Sequence, residues 1–345
     1  MSFRSWATVI TLVLLSVVVF FGWHDIVKVW ELLGKVNLWI LALLIPIQVF
    51  SYYAAGNIVF SYLKAKGNLK GISRWTMTRM SLELNFVNHI LPSGGAAGFS
   101  YLGWVLSRHG VSAGRATMAQ LVRFAMTYIA FLLLMAVSIL VLILDNSMSR
   151  AVVFVGVILV SMAIVAAVLL VYIIGNKSRI IRFSDWITKI SNKFLLFVTK
   201  GRAKNLIKDG TFNKFFTDLH QDYIEIKREK NILSRPVIWG IILNIADAAL
   251  LFITFWAMGI WVNPVILLIA FGTSAVAGII SVLPAGAGVY EAVMIGFLVS
   301  AGVSSDVAIA GTFLSRVVLV SGTILFGYFF YQLTILKYGK RPTNS

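Results

Sequence analysis

The feature that most constrains this chain is a set of long stretches with almost no charged residues. Four of them cover residues 6–23, 38–63, 120–144 and 151–175. A helix of about 20 apolar residues spans the hydrocarbon core of a bilayer. Hydrophobic residues make up 59% of the 345 residues, which is more apolar surface than a soluble domain can cover. The sequence therefore predicts an all-α polytopic membrane protein.

The net charge of +17, from 30 basic and 13 acidic residues, is concentrated in a few segments. Segments 64–79 and 175–235 and the two ends of the chain are basic, whereas segment 24–37 is neutral. Since basic loops stay on the cytoplasmic side, this pattern predicts cytoplasmic termini. Topology accounts for most of the charge, and contact with anionic lipid headgroups is compatible with it. The absence of cysteine excludes disulfides and thiolate chemistry.

Proline and glycine interrupt two of the apolar segments. LPSGG occupies 91–95 within segment 80–107, and LPAGAG occupies 283–288 within segment 263–300. Such residues break a helix interior, and broken backbone at membrane depth requires surrounding protein or a water-filled cavity. Basic residues flank the first segment on both sides, so a full crossing would leave one basic cluster outside. We therefore expect two re-entrant hairpins, the second entered from outside.

The resulting topology has about six full transmembrane helices plus the two broken-helix hairpins. The six spans are predicted at about 6–23, 38–63, 116–144, 151–175, 236–260 and 307–336. We expect one membrane domain over residues 1–345, with repeat one at about 38–144 and repeat two at about 236–336. Segment 176–235 is then a cytoplasmic loop.

The two interrupted segments share a pattern that predicts an internal repeat. The spacing from Pro92 to Gly110 equals that from Pro284 to Gly302, and each glycine begins a Gly-Val-Ser triplet. Arg123 follows the first copy and Arg316 follows the second at a nearly equal offset. Three full spans separate the hairpins, and an odd number inverts the second copy. Inverted repeats with broken helices are typical of secondary transporters.

The breaks predict a substrate site, because half-helix N-termini within the membrane attract anions. The residues expected there are Ser93, Gly94, Gly95, Gly286 and Gly288. The alternative is a structural kink, with close packing at glycine.

Ionisable residues inside the apolar segments add a second set of candidates. They are Glu83, His89, Arg123, Asp247, Glu291 and Arg316. A central charge of this kind costs ~2.5–3.5 kcal/mol on insertion scales unless it has a partner. Either the arginines form buried pairs with Asp247, Glu291 or Glu83, or they line a cavity that binds lipid phosphate.

Two of these ionisable residues have simpler explanations. Glu83 lies four residues after Arg79, which predicts a local ion pair near the membrane interface. His89 lies three residues before Pro92, and we expect it to support the break through a hydrogen bond.

The basic segment 176–235 carries two apolar stripes at helical spacing, which predict amphipathic helices on the inner leaflet. The first comprises Phe183, Ile187, Ile190, Phe194 and Phe197; the second comprises Phe212, Phe216, Leu219, Tyr223 and Ile226. A dimer contact or a docking surface for a soluble partner is the alternative.

These motifs resemble a known family. LPSGG with GVS and arginine, then GIISVLPAGAGVYEAVMIGFL and GVSSDVAIAGTFLSRVV, are similar to the flippase-like transmembrane region of lysylphosphatidylglycerol synthases and to its standalone prokaryotic relatives. In the bifunctional synthase a cytosolic domain aminoacylates phosphatidylglycerol, and the membrane region moves the product between leaflets. Many relatives carry an acid after the first glycines, where this chain has Phe99 and Ser100. The second copy keeps Glu291.

The resemblance implies a lipid flippase in the plasma membrane of a prokaryote, without a transferase domain. We expect it to move phospholipids or lipid-linked substrates with anionic headgroups, with no catalytic residue, metal, cofactor or nucleic acid. A homo-oligomer or a synthase partner is possible. The alternatives are a non-transporting membrane partner of a lipid-modifying or glycolipid-assembly enzyme, and a membrane enzyme acting on a lipid-linked substrate.

Overall fold

The computed structural model describes residues 34–67, 69, 71–90, 96–145, 175–198, 227–280 and 288–338, together with single positions at 224 and between 154 and 173. The chain forms two compact units, one made of residues 1–159 and 235–345 and the other of residues 160–234. In the described residues the regular structure is helical, as the composition predicts.

The helices are numbered here in chain order. They are α1 (Leu38–Ala42), α2 (Leu44–Ala65), α3 (Arg74–Ile90), α4 (Ala96–Ser107), α5 (Ala113–Asp145), α6 (Lys177–Val198), α7 (Ser234–Ala257), α8 (Pro264–Ile280), α9 (Val289–Ser300) and α10 (Ser305–Tyr338), with a 3-10 helix at Lys230–Leu233 before α7. Helix α6 belongs to the second unit, and the long apolar helices belong to the first.

Four stretches of the described chain are long and apolar enough to cross a membrane. They are Leu38–Ala65, Arg115–Val141, Asn231–Ala257 and Ser305–Tyr338. They correspond to four of the six predicted spans. The predicted span 6–23 lies outside the described residues. So does most of the predicted span 151–175, whose described positions between 154 and 173 are helical.

Short polar side chains start several of these helices by accepting backbone N–H groups that have no partner within the helix. The amide oxygen of Asn37 accepts from Trp39 N at 3.0 Å before α1, and that of Asn263 accepts from Val265 N at 2.9 Å before α8. The break between α1 and α2 falls just before Pro46, which has no N–H to give to the preceding turn.

The first interrupted segment forms an antiparallel pair of helices. Asn88 Oδ1 of α3 accepts a hydrogen bond from Gly98 N of α4 at 3.0 Å. Farther from the break, Tyr101 of α4 donates to Glu83 of α3. Residues 91–95 between these helices lie outside the described chain.

Both open ends of this pair lie at the C-terminal end of α10. There Arg79 contacts Thr334, and His109, just after α4, contacts Tyr338. The pair therefore enters and leaves the unit on the same side.

One boundary of this hairpin differs from the sequence-based expectation. We expected Arg74 and Arg79 in a loop, with the interrupted segment starting at residue 80. Instead α3 starts at Arg74, where Ser73 Oγ accepts from Thr76 N at 3.1 Å. Arg79 faces Glu83 one turn on, so the ion pair makes this basic stretch part of the helix.

The second interrupted segment has a similar arrangement of helices. Helices α3 and α8 are each described over 17 residues, and α4 and α9 over 12. Helix α4 closes with a turn in which Gly110 has φ 77°, and α9 closes with Gly302 at φ 92°. In both turns the next residue donates back to a leucine carbonyl, Val111 to Leu106 and Val303 to Leu298, which is the Schellman pattern.

Glycine allows several helices of the first unit to approach closely. A Cβ built on Gly240 of α7 would lie 2.8 Å from the Met126 carbonyl of α5, and one on Gly56 of α2 would lie 2.9 Å from the Met77 backbone of α3. Backbone atoms cannot move aside as flexible side chains can. These two glycines therefore set the crossing distances of α7 with α5 and of α2 with α3.

We expect Gly56→Ala to destabilise the protein and Gly103→Ala to leave it unchanged. A Cβ at Gly56 meets backbone, whereas one at Gly103 has no heavy atom within 4 Å. Overpacking of this kind costs about 1–3 kcal/mol. Unfolding of the detergent-solubilised protein, followed by tryptophan fluorescence, measures the difference. Equal midpoints for the two variants would contradict the close crossing of α2 and α3.

Candidate functional site

A polar cavity of about 320 Å³ lies in the first unit, between the long helices and the two hairpins. Helices α2, α3, α5, α7, α8, α9 and α10 all contribute lining residues. The broken ends of both hairpins reach it, through His89 near the end of α3 and Tyr290 in the first turn of α9. Two interrupted segments that are far apart in sequence thus converge on one cavity.

Three charged side chains line this cavity: Arg123 of α5, Asp247 of α7 and Arg316 of α10. Arg123 and Arg316 each lie about 15 Å along their helix from its start, at a rise of 1.5 Å per residue. Such charges require partners or water in an apolar surrounding. Each of the three meets this requirement differently.

Arg316 forms an ion pair with Glu291. Its Nε lies 3.0 Å from Glu291 Oε1, and its guanidinium lies 4.9 Å from the centre of the Tyr290 ring. Glu291 is 8% exposed, so the pair is largely sheltered from solvent. Arg316 lines one side of the cavity and is held there by Tyr290 and Glu291, two neighbouring residues of α9.

Glu291 also holds the start of α9. Its Oε2 accepts from Gly288 N at 2.6 Å, which is one half of a capping box, since glycine has no side chain to supply the other half. Gly288 has φ 83°, a left-handed conformation that favours glycine. The two oxygens of one carboxylate therefore tie the end of the second break to the arginine of α10.

Asp247 accepts a hydrogen bond from Ser51 Oγ of α2 at 2.5 Å. Three residues earlier on α7, Asn244 donates to the Thr127 carbonyl of α5 at 3.1 Å. These two bonds fix α7 against the neighbouring helices on either side of the carboxylate.

Arg123 has no carboxylate within 4.0 Å among the described residues. Its guanidinium lies 6.0 Å from the centre of the neighbouring Phe124 ring. Asp247 lines the same cavity and forms no ion pair with Arg123. The lining therefore presents a cation and an anion that are not paired with each other.

A group of neutral polar side chains joins α2 to α10 beside these charges. Tyr52 Oη and Thr323 Oγ1 are 2.5 Å apart, and Gln48 Nε2 donates to Thr323 Oγ1 at 3.1 Å and to the Leu319 carbonyl at 2.8 Å. All four residues line the cavity. They supply neutral hydrogen-bonding groups on the wall formed by α2 and α10.

A separate buried network holds the first hairpin to α10. Glu83 is 0% exposed and accepts from Tyr101 at 2.6 Å and from Thr334 at 2.8 Å. Arg79 Nε lies 3.1 Å from the same carboxylate, so the predicted local pair is present. Because the network spans α3, α4 and α10 and none of its members lines the cavity, its role is to fasten the hairpin.

The structure brings together the distant members of the predicted site and leaves others outside the described chain. Arg123, Arg316 and Asp247 line the cavity, Glu291 pairs with Arg316, and Gly288 starts α9. Ser93, Gly94, Gly95 and Gly286 lie outside the described residues. His89 is hydrogen-bonded as expected, to the Asn85 carbonyl one turn earlier in α3 at 2.8 Å.

Sequence reasoning missed the contribution of α2. Gln48, Ser51 and Tyr52 line the cavity, yet none of them is ionisable at neutral pH and none lies beside a glycine break. A signal was present, since these polar residues recur one turn apart in an otherwise apolar span. Tyr290 was also missed, although it directly precedes Glu291.

The second unit contains helix α6, where the first amphipathic helix was predicted. Its buried side chains include Ile180, Ser184 and Thr188, whereas Trp186 and Ile190 are 56% and 46% exposed. Of the predicted stripe, Ile190 is exposed and Phe183 is half-buried, so neither of these two side chains is fully buried in the unit. The predicted second helix, at 212–226, lies largely outside the described residues.

The fold and the cavity define a polytopic helical membrane protein with a charged site in its membrane-spanning unit. The family model for the transmembrane region of lysylphosphatidylglycerol synthase matches residues 6–327, so the chain belongs to that family. Membership confirms the resemblance seen in the sequence and indicates a lipid-related role in the membrane. A comparison with curated proteins gives no match.

We expect Arg316 and Glu291 to be energetically coupled. Glu291→Gln keeps an oxygen for the Gly288 N–H but removes the charge, and Arg316→Gln removes the other half of the pair. Comparing both single variants with the double variant should give a coupling of about 0.5–3 kcal/mol in the free energy of unfolding. The same cycle on Glu291 and Arg108, an exposed arginine, is the control. Strictly additive effects in both cycles would contradict the pair.

Proposed function

We propose that this protein moves phospholipids between the leaflets of a prokaryotic plasma membrane, and that it is not an enzyme. The observation that carries the proposal is the convergence of Arg123, Arg316 and Asp247 on one cavity at the breaks of two hairpins. Arginine is well suited to phosphate, since its planar fork can donate two parallel hydrogen bonds. A cavity of this size matches a lipid headgroup, while acyl chains stay among the apolar helix faces.

The arrangement of helices supports a transport mechanism. Transporters of many folds place their sites at discontinuous helices near the membrane midplane, between two inverted repeats. Here the two closing turns at Gly110 and Gly302 support such a repeat. Gly67 and Gly259, which follow α2 and α7 with φ of 71° and 75°, are separated by the same number of residues as Gly110 and Gly302.

The inverted repeat assigns a function to the breaks. Each break stops a helix inside the unit, where the backbone and the first turn of the next helix can face a headgroup rather than lipid. Alternating access then comes from movement of one repeat against the other around a fixed site. The first hairpin, with both ends on one side, is re-entrant in this arrangement.

We expect loss of either cavity arginine to slow lipid movement. Purified protein in vesicles with a fluorescent acyl-chain-labelled phospholipid reports transbilayer movement when a membrane-impermeant reductant quenches the outer leaflet. Arg123→Gln should reduce the rate about tenfold or more, because an interaction of a charged donor with phosphate is lost. Arg316→Gln should reduce it as well, because the Glu291 carboxylate beside the cavity loses its partner. Arg316→Lys should restore only part of it.

The matched control is Arg108→Gln, which removes an exposed arginine outside the cavity. Reconstitution yield and orientation are measured for every variant, so that poor insertion is not mistaken for lost transport. Parental rates in both cavity variants would overturn the assignment of the site.

The inverted repeat also makes a topological prediction. Ser112 and Ser304 are exposed and precede α5 and α10 at corresponding places. Since the native chain has no cysteine, single cysteines can be placed cleanly. In spheroplasts, an impermeant maleimide should label Ser304→Cys from outside and should label Ser112→Cys only after the membrane is opened. Labelling of both from the same side would rule out inversion.

A further inference from the structure

The charges around the cavity are balanced, and this balance bears on the headgroup that it accepts. Arg123 and Arg316 contribute two positive charges, and Asp247 and Glu291 contribute two negative charges. His89 adds none in its neutral form, with Nδ1–H given to the Asn85 carbonyl. From sequence, two arginines near glycine breaks favoured an anionic headgroup. The structure places an equal number of carboxylates beside them.

The four charges are not equivalent. Arg316 and Glu291 are paired at 3.0 Å, and Glu291 is held further by Gly288. This pair is neutral as a unit before any ligand arrives. Among the described residues, Arg123 has no carboxylate within 4.0 Å. Asp247 accepts a hydrogen bond from Ser51, but this hydroxyl is neutral and does not balance the charge of the carboxylate. The charges open to a ligand are therefore Arg123 and Asp247.

A ligand with a net charge would upset this balance. Charged groups in a surrounding of low dielectric are costly unless each is compensated. An anionic headgroup could pair with Arg123, but it would leave Asp247 facing added negative charge. A cationic headgroup would pair with Asp247, but it would bring added positive charge close to Arg123.

We infer that the cavity selects phospholipids whose headgroup is zwitterionic and neutral overall, with the phosphate at Arg123 and the ammonium at Asp247. The inference rests on the proposed transport function and names its substrate class. It assigns Asp247 as the residue that determines specificity, because this carboxylate distinguishes a headgroup with an ammonium from one without. Phosphatidylethanolamine has this chemistry, phosphatidylglycerol is anionic, and lysylphosphatidylglycerol is cationic.

The test compares these three lipids, each labelled on the acyl chain, in vesicles of otherwise identical composition. We expect phosphatidylethanolamine to move about tenfold faster or more than either charged lipid, as expected for an uncompensated charge in the site. Asp247→Asn should raise the rate for phosphatidylglycerol relative to phosphatidylethanolamine by about tenfold. Arg123→Gln should instead favour lysylphosphatidylglycerol.

The control is Asp306→Asn, which removes the same charge from an exposed position in the first turn of α10. It should leave the order of the three lipids unchanged. Because Asp247→Asn could fold poorly, competition on the parental protein gives an independent measure. Excess unlabelled phosphatidylethanolamine should slow the labelled lipid, and phosphatidylglycerol should not.

The outcomes separate this inference from the proposed function. If phosphatidylglycerol or lysylphosphatidylglycerol moves as fast as phosphatidylethanolamine, the zwitterionic selectivity is wrong and lipid movement still stands. If Asp247→Asn and Asp306→Asn give the same order of lipids, Asp247 does not determine specificity. If none of the lipids moves faster than in protein-free vesicles, the proposed function and this inference both fail.

Discussion

The structure of the first unit depends on one constraint, which is that a charge surrounded by apolar helices must be compensated where it lies. Glu83 satisfies it with three partners from α3, α4 and α10, and Glu291 satisfies it with a helix start and the arginine of α10. Because each compensating bond joins separate helices, the charges fix how the hairpins are seated. Apolar contacts among lipid-exposed helices have no such directionality.

The same constraint explains why a polar cavity can exist within so apolar a chain. A helix that breaks inside the unit has backbone groups that must be satisfied by neighbouring protein or by water. At α9 the side chain of Glu291 satisfies the Gly288 N–H, and at the start of α4 the Asn88 side chain accepts from the Gly98 N–H. The polar wall formed by Gln48, Tyr52 and Thr323 encloses the remaining space.

The sequence predicted the features that depend on local pattern. Apolar length identified the helices, the glycine motifs located the hairpins, and repeat spacing singled out Arg123 and Arg316. It could not rank long-range partners, because any of three acids could have paired with either arginine. Thr334 donates to Glu83 across 251 residues of sequence, and no local spacing pattern predicts such a contact.

The contribution of α2 was missed because the candidate residues were chosen for being ionisable, and Gln48 and Ser51 are not. In α6 the side chains buried at Ser184 and Thr188 are polar, contrary to what hydrophobicity alone indicates.

The close crossing of α7 and α5 has a mechanical consequence for the cavity. Gly240 brings the backbones together, and Asn244 bonds across the same contact. Asp247 lies one turn beyond on α7, and Arg123 lies one turn before Thr127 on α5. The crossing therefore fixes the backbones that carry these two side chains. Opposite charges carried on fixed backbones favour a ligand by its length. A molecule fits when the distance between its own two charges matches the distance between the two charged side chains.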